Sequence, residues 1–189
     1  TDFKVTSDHY HHYKQDVALF AELGLKAYRF SIAWTRIFPH GTGEINPLGV
    51  AFYNNLINEL KAHNIEPIVT IYHFDLPYAL QQKGGWSNRD TVDAFAFYCE
   101  TLFELYGDRV KYWLTINEQN MMILHGDAIG TMSTVAVENP EKDLYQQNHH
   151  MLLAQAKAMK SCHEILPHAK IGPAPNISAI YPASSKPED

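Results

Sequence analysis

Hydrophobic residues in this chain form four short continuous runs, separated by longer stretches with an apolar position every three or four residues. The continuous runs cover residues 27–32, 67–73, 111–117 and 170–176. Such runs are typical of strands buried on both faces of a parallel sheet. The periodic stretches predict amphipathic helices over residues 10–23, from 47 onward, 89–106 and 144–165. Strands that alternate with helices in this way predict βαβ units and an α/β fold.

The second helix has the clearest starting signal. Asn46 is a favoured N-cap residue, and Pro47 suits the first helical position because proline lacks the backbone N–H that would be unpaired there. We therefore expect this helix to begin at Pro47.

The connections that follow the predicted strands are long. Successive strands start roughly 40 to 60 residues apart, more than a minimal βαβ unit requires. The stretches 38–47, 73–88 and 118–143 hold glycine, proline, tryptophan and charged residues. Active-site loops have this composition, and in parallel α/β barrels they lie at the carboxyl ends of the strands. With no linker or repeat visible, residues 1–189 are expected to form one domain.

Composition and charge argue against some classes of binding partner. The 189 residues are 46% hydrophobic and 12% aromatic, which is typical of a globular protein. The net charge of −6 and the lack of a Lys/Arg cluster predict no nucleic-acid or anionic-membrane partner. No apolar run could span a membrane, and no leader is visible at Thr1. Isolated Cys99 and Cys162 favour a reducing compartment.

The most informative local feature is a carboxylate at the end of an apolar strand. Residues 112–116 are followed by Asn117 and Glu118, which would lie on the reaction face of a parallel barrel. Glu118 is therefore the first candidate for a general acid or base. A single Glu at this place also fits a helix N-cap or a solvated loop. Other residues of the predicted site are therefore needed to distinguish these alternatives.

Other polar residues lie within or at the ends of the predicted strands. Arg29 lies within the first predicted strand, His73 closes the second and Asn176 closes the fourth. Glycoside hydrolysis needs a proton donor and a second carboxyl group, about 5 Å apart in retaining enzymes. The chain offers Glu118 as the first and no comparable second.

A histidine cluster supports a different class of site less well. His9, His11 and His12 could suggest a metal centre, but no acidic or Cys partner has ligand spacing. Packing at the start of a helix explains them better. We expect no metal.

Several motifs together resemble glycoside hydrolase family 1, the β-glucosidase and 6-phospho-β-glycosidase family with a (β/α)8 barrel. The resemblance covers essentially the whole chain and rests on residues 7–14, 28–39, 72–77, 84–86, 88–89, 115–118 and 181–184. It implies a TIM barrel of which this chain supplies about four strand-helix units, a small carbohydrate substrate and no cofactor.

The resemblance also implies roles for individual residues. Glu118 corresponds to the acid/base, while Asn117 and His73 correspond to residues that bind sugar hydroxyls. Arg29 matches an arginine beside the catalytic nucleophile. Two further residues complete the expected site: Asn176 near the acid/base, and Trp34 lining the pocket.

Two departures from the most frequent family pattern favour the phosphorylated-substrate branch. Gln119 replaces the usual Pro after the acid/base, and Phe74 replaces the usual Trp after the strand-end His. The expected substrate is therefore a 6-phospho-β-glucoside, with an unphosphorylated β-glucoside as the alternative. Phosphorylated sugars would place the protein in the cytoplasm.

The length of the chain adds a further expectation. In the family barrel the nucleophile Glu lies at the end of the seventh strand, and a first strand would precede Thr1. The chain is thus expected to be a fragment lacking both. Self-association or the remaining half of the barrel would complete it, and an inert half-barrel is the other alternative.

Overall fold

A computed structural model describes residues 6–129, 138–179 and 181–186. Within them, four strands form one parallel sheet in the order β1-β2-β3-β4. The strands are β1 (Ala27–Ser31), β2 (Glu66–Tyr72), β3 (Tyr112–Asn117) and β4 (Lys170–Ala174). Chain order and spatial order agree, as in consecutive units of a (β/α)8 barrel, and the sheet stays open.

Seven helices accompany the sheet in the described residues. They are α1 (His9–Glu22), α2 (Trp34–Ile37), α3 (Pro47–Ala62), α4 (Tyr78–Gln81), α5 (Asp90–Tyr106), α6 (Gln119–Ile129) and α7 (Pro140–Ile165). A single 3₁₀ turn covers Gly85–Ser87. No helix in the described ranges is both long and apolar enough to cross a membrane.

The predicted α/β pattern is confirmed, but helices α2, α4 and α6 were not predicted, and α4 and α6 lie in stretches that were expected to be loops. The predicted helices differ from the observed ones only at their ends. The Asn46 side chain accepts a hydrogen bond from Leu48 N–H, so α3 begins at Pro47 as expected. Helix α7 begins at Pro140 rather than at residue 144, because Asn139 caps Lys142 N–H and Pro140 takes the first helical position. The signal used at Asn46 was thus present again at Asn139.

The expectation that all four strands are buried on both faces is wrong for the two outer ones. Strands β2 and β3 are mostly buried, whereas β1 and β4 are mostly exposed or half-buried. In the part of the chain that the structure describes, both outer strands have a neighbour on one side only. Their apolar sequence suits a sheet that continues on either side.

An aromatic core under α5 fixes the carboxyl ends of β1 and β2. The rings of Trp34 and Tyr98 stack with centroids 4.9 Å apart, and both residues are fully buried. The Tyr98 hydroxyl lies 2.9 Å from the Ile32 carbonyl oxygen and 3.2 Å from that of Ile71. These carbonyls lie at the carboxyl ends of neighbouring strands, so the core sets the distance between those ends. The carboxyl ends of the four strands form the rim of the sheet, which carries the polar side chains described below.

Candidate active site at the carboxyl ends of the strands

Strand β1 directs Arg29 away from the helices. Tyr28 and Phe30, its neighbours in sequence, pack against residues of α1 and α3, and successive side chains of a strand point to opposite faces. Arg29 therefore reaches across the other face of the sheet. Its Nε donates to Thr70 Oγ1 on β2 at 2.9 Å, and its Nη2 donates to Asn117 Oδ1 at the end of β3 at 2.6 Å.

Asn117 joins Arg29 to His73. A guanidinium group only donates hydrogen bonds, so Oδ1 of the Asn117 amide has to face Arg29 and Nδ2 faces away from it. That Nδ2 lies 3.2 Å from His73 Nε2, which accepts the bond when the ring proton is on Nδ1. Asn117 is 5% exposed, whereas His73 and Arg29 are exposed. The three predicted residues thus form one connected group on the rim.

Glu118 has an unusual backbone conformation. Its φ is +44°, in the left-handed region that non-glycine residues rarely adopt. The conformation occurs where β3 ends and α6 begins, and Glu118 N–H donates to the Ala174 carbonyl oxygen at 2.8 Å. Strained backbone of this kind is concentrated at functional sites, where the surrounding structure has to hold it.

The Glu118 carboxylate is contacted by Asn176, the residue that the family resemblance places near it. Asn176 Nδ2 donates to Glu118 Oε1 at 3.2 Å. The backbone of Asn176 is held in turn by the side chain of Asn120, whose Oδ1 accepts from Asn176 N–H at 3.0 Å and whose Nδ2 donates to the Asn176 carbonyl oxygen at 2.7 Å. Both side chains of the predicted pair are half-buried.

A largely buried polar network surrounds the side chain of Gln119, the residue after Glu118. Gln119 Nε2 donates to Asn148 Oδ1 on α7 at 2.6 Å, and Gln119 Oε1 accepts from Gln155 Nε2. Gln155 Oε1 accepts in turn from Thr115 Oγ1 on β3 at 2.6 Å. The residue after Glu118 is therefore attached to both the strand and the covering helix.

Asp75 connects the segments that follow β1 and β2. Its Oδ2 accepts from Trp34 N–H at 2.9 Å, and its Oδ1 accepts from His73 N–H at 3.1 Å. Burial raises the pKa of the Asp75 carboxyl above its usual value, and the backbone donors and His73 oppose this only in part. Asp75 thus holds the backbone of His73 in place.

The structure corrects the expectation for Trp34. This residue has no exposed surface, and its indole N–H donates to the Gly41 carbonyl oxygen at 2.9 Å. With its ring stacked on Tyr98, Trp34 has no face left for a sugar. Its link to the site is the backbone bond to Asp75.

A cavity of ≈ 380 Å³ lies beside this network rather than on the rim. Gln119, Asn120, Asn148 and Gln155 contribute to its lining, whereas Arg29, His73, Asn117 and Glu118 do not. The cavity is therefore separate from the connected group of Arg29, Asn117 and His73. We identify the rim that carries this group as the candidate site. Among the described residues, no group of three or more His, Cys, Asp or Glu side chains is arranged to hold a metal ion.

Sequence reasoning missed three supporting residues. Thr70, Asn120 and Asp75 bind, respectively, the Arg29 side chain, the Asn176 backbone and the His73 backbone. Two of them had a visible signal: Asn120 is the second amide in an Asn-Glu-Gln-Asn run, and Asp75 stands two residues after the strand-end His73.

Comparison with known proteins gives a consistent result. The model of the family described as glycosyl hydrolase family 1 matches residues 1–189. An aryl-phospho-β-D-glucosidase, BglC, of Bacillus subtilis is 52% identical over 100% of this chain and 39% of its own length. A 6-phospho-β-glucosidase of Dickeya chrysanthemi is 47% identical over 98% of the chain and 40% of its length.

Relatives named for unphosphorylated substrates are nearly as similar. A 1,4-β-D-glucan glucohydrolase of Thermotoga neapolitana is 45% identical over 98% of the chain and 43% of its length. The solved family 1 β-glucosidase of Thermotoga maritima superimposes with a TM-score of 0.88 at 44% identity, over 96% of this chain and 41% of that one. The chain thus spans about two fifths of the length of these relatives.

Proposed function

This chain belongs to glycosyl hydrolase family 1, and we propose that Glu118 is the general acid/base of a retaining β-glycosidase of which the chain forms part. One observation carries the proposal. Glu118, held in a left-handed conformation at the end of β3, has its carboxylate bonded to Asn176 and directly follows the Asn117 that joins Arg29 to His73.

The proposed reaction has two steps. In the first, Glu118 gives its proton to the glycosidic oxygen as the bond to the sugar breaks, and a second carboxylate forms a covalent bond to the sugar. In the second, the Glu118 carboxylate takes a proton from water, which attacks the sugar and releases the second carboxylate. We propose that this nucleophile belongs to residues outside 1–189.

The remaining rim residues have separate proposed roles. The Asn117 amide and the His73 ring would hydrogen-bond hydroxyl groups of the sugar, and their mutual bond sets their relative orientation. The Arg29 guanidinium would stand beside the nucleophile, where a nearby positive charge favours the ionised carboxylate. Asn176 would orient the Glu118 carboxyl group.

The proposed substrate is a 6-phospho-β-glucoside. Gln119 and Phe74 support it, as does the higher identity to relatives named for phosphorylated substrates. An unphosphorylated β-glucoside is the second candidate, because a relative named for glucan hydrolysis follows closely in identity. A phosphorylated substrate would place the protein in the cytoplasm, since such sugars arise there during phosphorylating transport.

The acid/base role is tested by Glu118→Gln in the full polypeptide that contains this chain. For kcat/KM, we expect a loss of about 10²- to 10⁴-fold with phenyl β-glycosides and a far smaller loss with dinitrophenyl β-glycosides, whose leaving group needs no proton. Glu104→Gln, at an exposed position of α5, is the matched control. Unchanged hydrolysis of the phenyl compound by Glu118→Gln would refute the role.

The substrate class is tested by comparing nitrophenyl β-glucoside with the same compound phosphorylated at the sugar 6-position. Turnover of the phosphorylated compound alone supports the first candidate, and preferential turnover of the free glucoside supports the second.

A polypeptide of residues 1–189, assayed in parallel, tests the alternative of an inert half-barrel. Activity of the full polypeptide combined with inactivity of residues 1–189 would support a nucleophile elsewhere in the protein. Activity of the 189-residue chain would instead require a second carboxylate within it or within an associated copy.

A further inference from the structure

We propose that Asn120 is a positioning residue for the acid/base, acting on Glu118 through Asn176. This inference rests on the proposed function and adds to it a residue that does not itself contact the sugar. It explains why an amide side chain stands two residues after Glu118, a position that the proposed chemistry leaves without a role.

The contact between Asn120 and Asn176 has the form of a strand pairing. Asn120 Oδ1 accepts from Asn176 N–H at 3.0 Å, while Asn120 Nδ2 donates to the Asn176 carbonyl oxygen at 2.7 Å. One side-chain amide thereby satisfies both backbone groups of a single residue, as a neighbouring strand would do. Alanine at this position offers neither bond, and aspartate offers the acceptor but not the donor.

The pairing is needed because the sheet ends before Asn176. The last register pair between β3 and β4 is Asn117 with Ala174, and a register irregularity occurs between Leu114 and Asn117. Asn176 comes two residues after the end of β4. Beyond the sheet, the Asn120 side chain fixes the Asn176 backbone and therefore the origin of the amide that reaches Glu118.

The result is a closed loop of contacts around the acid/base. Glu118 and Asn120 belong to one short segment, and Asn176 binds the carboxylate of the first and the amide of the second. A displacement of Asn176 would release Oε1 of Glu118. Misplacement of a catalytic group by about 1 Å can cost on the order of 10²-fold in rate.

A purely structural tie between α6 and the segment after β4 would use the same bonds. The two roles differ in their dependence on the leaving group. Loss of a structural tie would lower kcat/KM for all substrates alike, whereas loss of acid/base positioning would spare substrates whose leaving group needs no proton.

The test uses Asn120→Ala in the full polypeptide with phenyl and 2,4-dinitrophenyl β-glycosides, phosphorylated or free according to the preference of the unmodified protein. We expect kcat/KM to fall about ten-fold or more for the phenyl compound relative to the dinitrophenyl one. Asn58→Ala on α3 is the matched control, because it also removes a side-chain hydrogen bond, from Arg109 Nη1 at 2.7 Å, away from the site. Its ratio should stay unchanged.

A double-mutant cycle tests whether Asn120 acts through Asn176. If it does, Asn120→Ala combined with Asn176→Ala should have the same leaving-group ratio as Asn176→Ala alone, since the effects of coupled residues do not add. Asn120→Asp, which keeps one of the two bonds, should give an intermediate ratio and replaces Asn120→Ala if that variant does not fold.

Each result is decisive for one of the two proposals. Equal losses for both substrates, or additive losses in the double variant, would overturn the positioning role while Glu118→Gln still shows its leaving-group dependence. Absence of that dependence in Glu118→Gln itself would overturn the proposed function, and the inference would fall with it.

Discussion

Arg29 and Asn117 are joined by a hydrogen bond of 2.6 Å between Nη2 and Oδ1, although 88 residues separate them in sequence. The same guanidinium reaches Thr70 Oγ1 through Nε at 2.9 Å. The Arg29 side chain thus starts on β1, crosses β2 and ends on β3. The Arg29 guanidinium only donates hydrogen bonds, so Oδ1 of the Asn117 amide has to face it. The Nδ2 group of Asn117 therefore faces His73.

Arg29→Lys should therefore be poorly tolerated. Lysine keeps the positive charge but has a single nitrogen on a flexible stem, so it cannot reproduce the forked contacts to Thr70 and Asn117. Loss of one hydrogen bond to a charged group costs about 1.5–3 kcal/mol, so we expect kcat/KM to fall roughly 10- to 100-fold. Arg89→Lys, at an exposed position before α5, is the control. A full-activity Arg29→Lys variant would contradict the proposed geometry.

Gln119→Pro is expected to destabilise the protein, although proline is frequent at this place in the family. Gln119 is the first residue of α6, where proline fits the backbone. The substitution instead removes the partner of the Asn148 and Gln155 side chains. Gln155 is 4% exposed, and an unpaired buried polar group costs about 1–3 kcal/mol, so the free energy of unfolding should fall by about that amount.

Gln119→Ala separates side-chain from backbone effects. It removes the same hydrogen bonds without adding a proline ring, so chemical denaturation should show a similar loss in both variants. A loss in Gln119→Pro alone would identify the backbone as the cause.

Asp75→Asn should weaken the connection between the segments after β1 and β2. The Asp75 carboxylate accepts from both Trp34 N–H and His73 N–H, whereas an amide has one acceptor oxygen and would turn a donor toward the other N–H. We expect the free energy of unfolding to fall by about 1–3 kcal/mol. Denaturation of the full polypeptide at neutral pH measures this loss, and an unchanged midpoint would contradict the contact.

The free energies of unfolding of the unmodified protein and of Asp75→Asn should depend differently on pH. Because burial raises the pKa of Asp75, the folded state binds a proton at a pH where the unfolded chain, with a pKa of about 3.9, has released it. The contribution of this group to stability therefore increases as pH falls through the raised folded pKa. The stability advantage over Asp75→Asn should grow in that direction, and a trend of the opposite sign would refute the shift.

The two cysteines should be unreactive in the native protein. Burial raises the pKa of Cys162 to about 11 and that of Cys99 well above its usual value. At pH 8 roughly 0.1% of Cys162 would be thiolate, the form that reacts with alkylating agents. Mass spectrometry of the peptides containing Cys99 and Cys162 after brief iodoacetamide treatment should find both unmodified, and labelled only after denaturation. Rapid native labelling would show that these positions are accessible.

Sequence patterns determined the class of the four strands and of the longer helices α1, α3, α5 and α7 because those patterns are local, but they did not predict α6, which lies in a stretch expected to be a loop. Continuous apolar runs marked the four strands, and Asn46 with Pro47 marked the start of α3. The error at α7 was also local, since Asn139 and Pro140 carried the same signal. Burial was less predictable: an apolar strand such as β1 or β4 looks like a central one, although its exposure depends on what lies beside it.

The sequence by itself determined the alternating fold, the family resemblance and the position of Glu118 at the end of a strand. The tertiary structure decided which side chains meet there. In the structure, Trp34 is buried in the core, and Asn120 contacts the backbone of Asn176, which is 56 positions away in sequence. Periodicity and helix-capping signals depend on neighbouring residues, whereas a contact between distant residues depends on the register and packing of the strands that hold them.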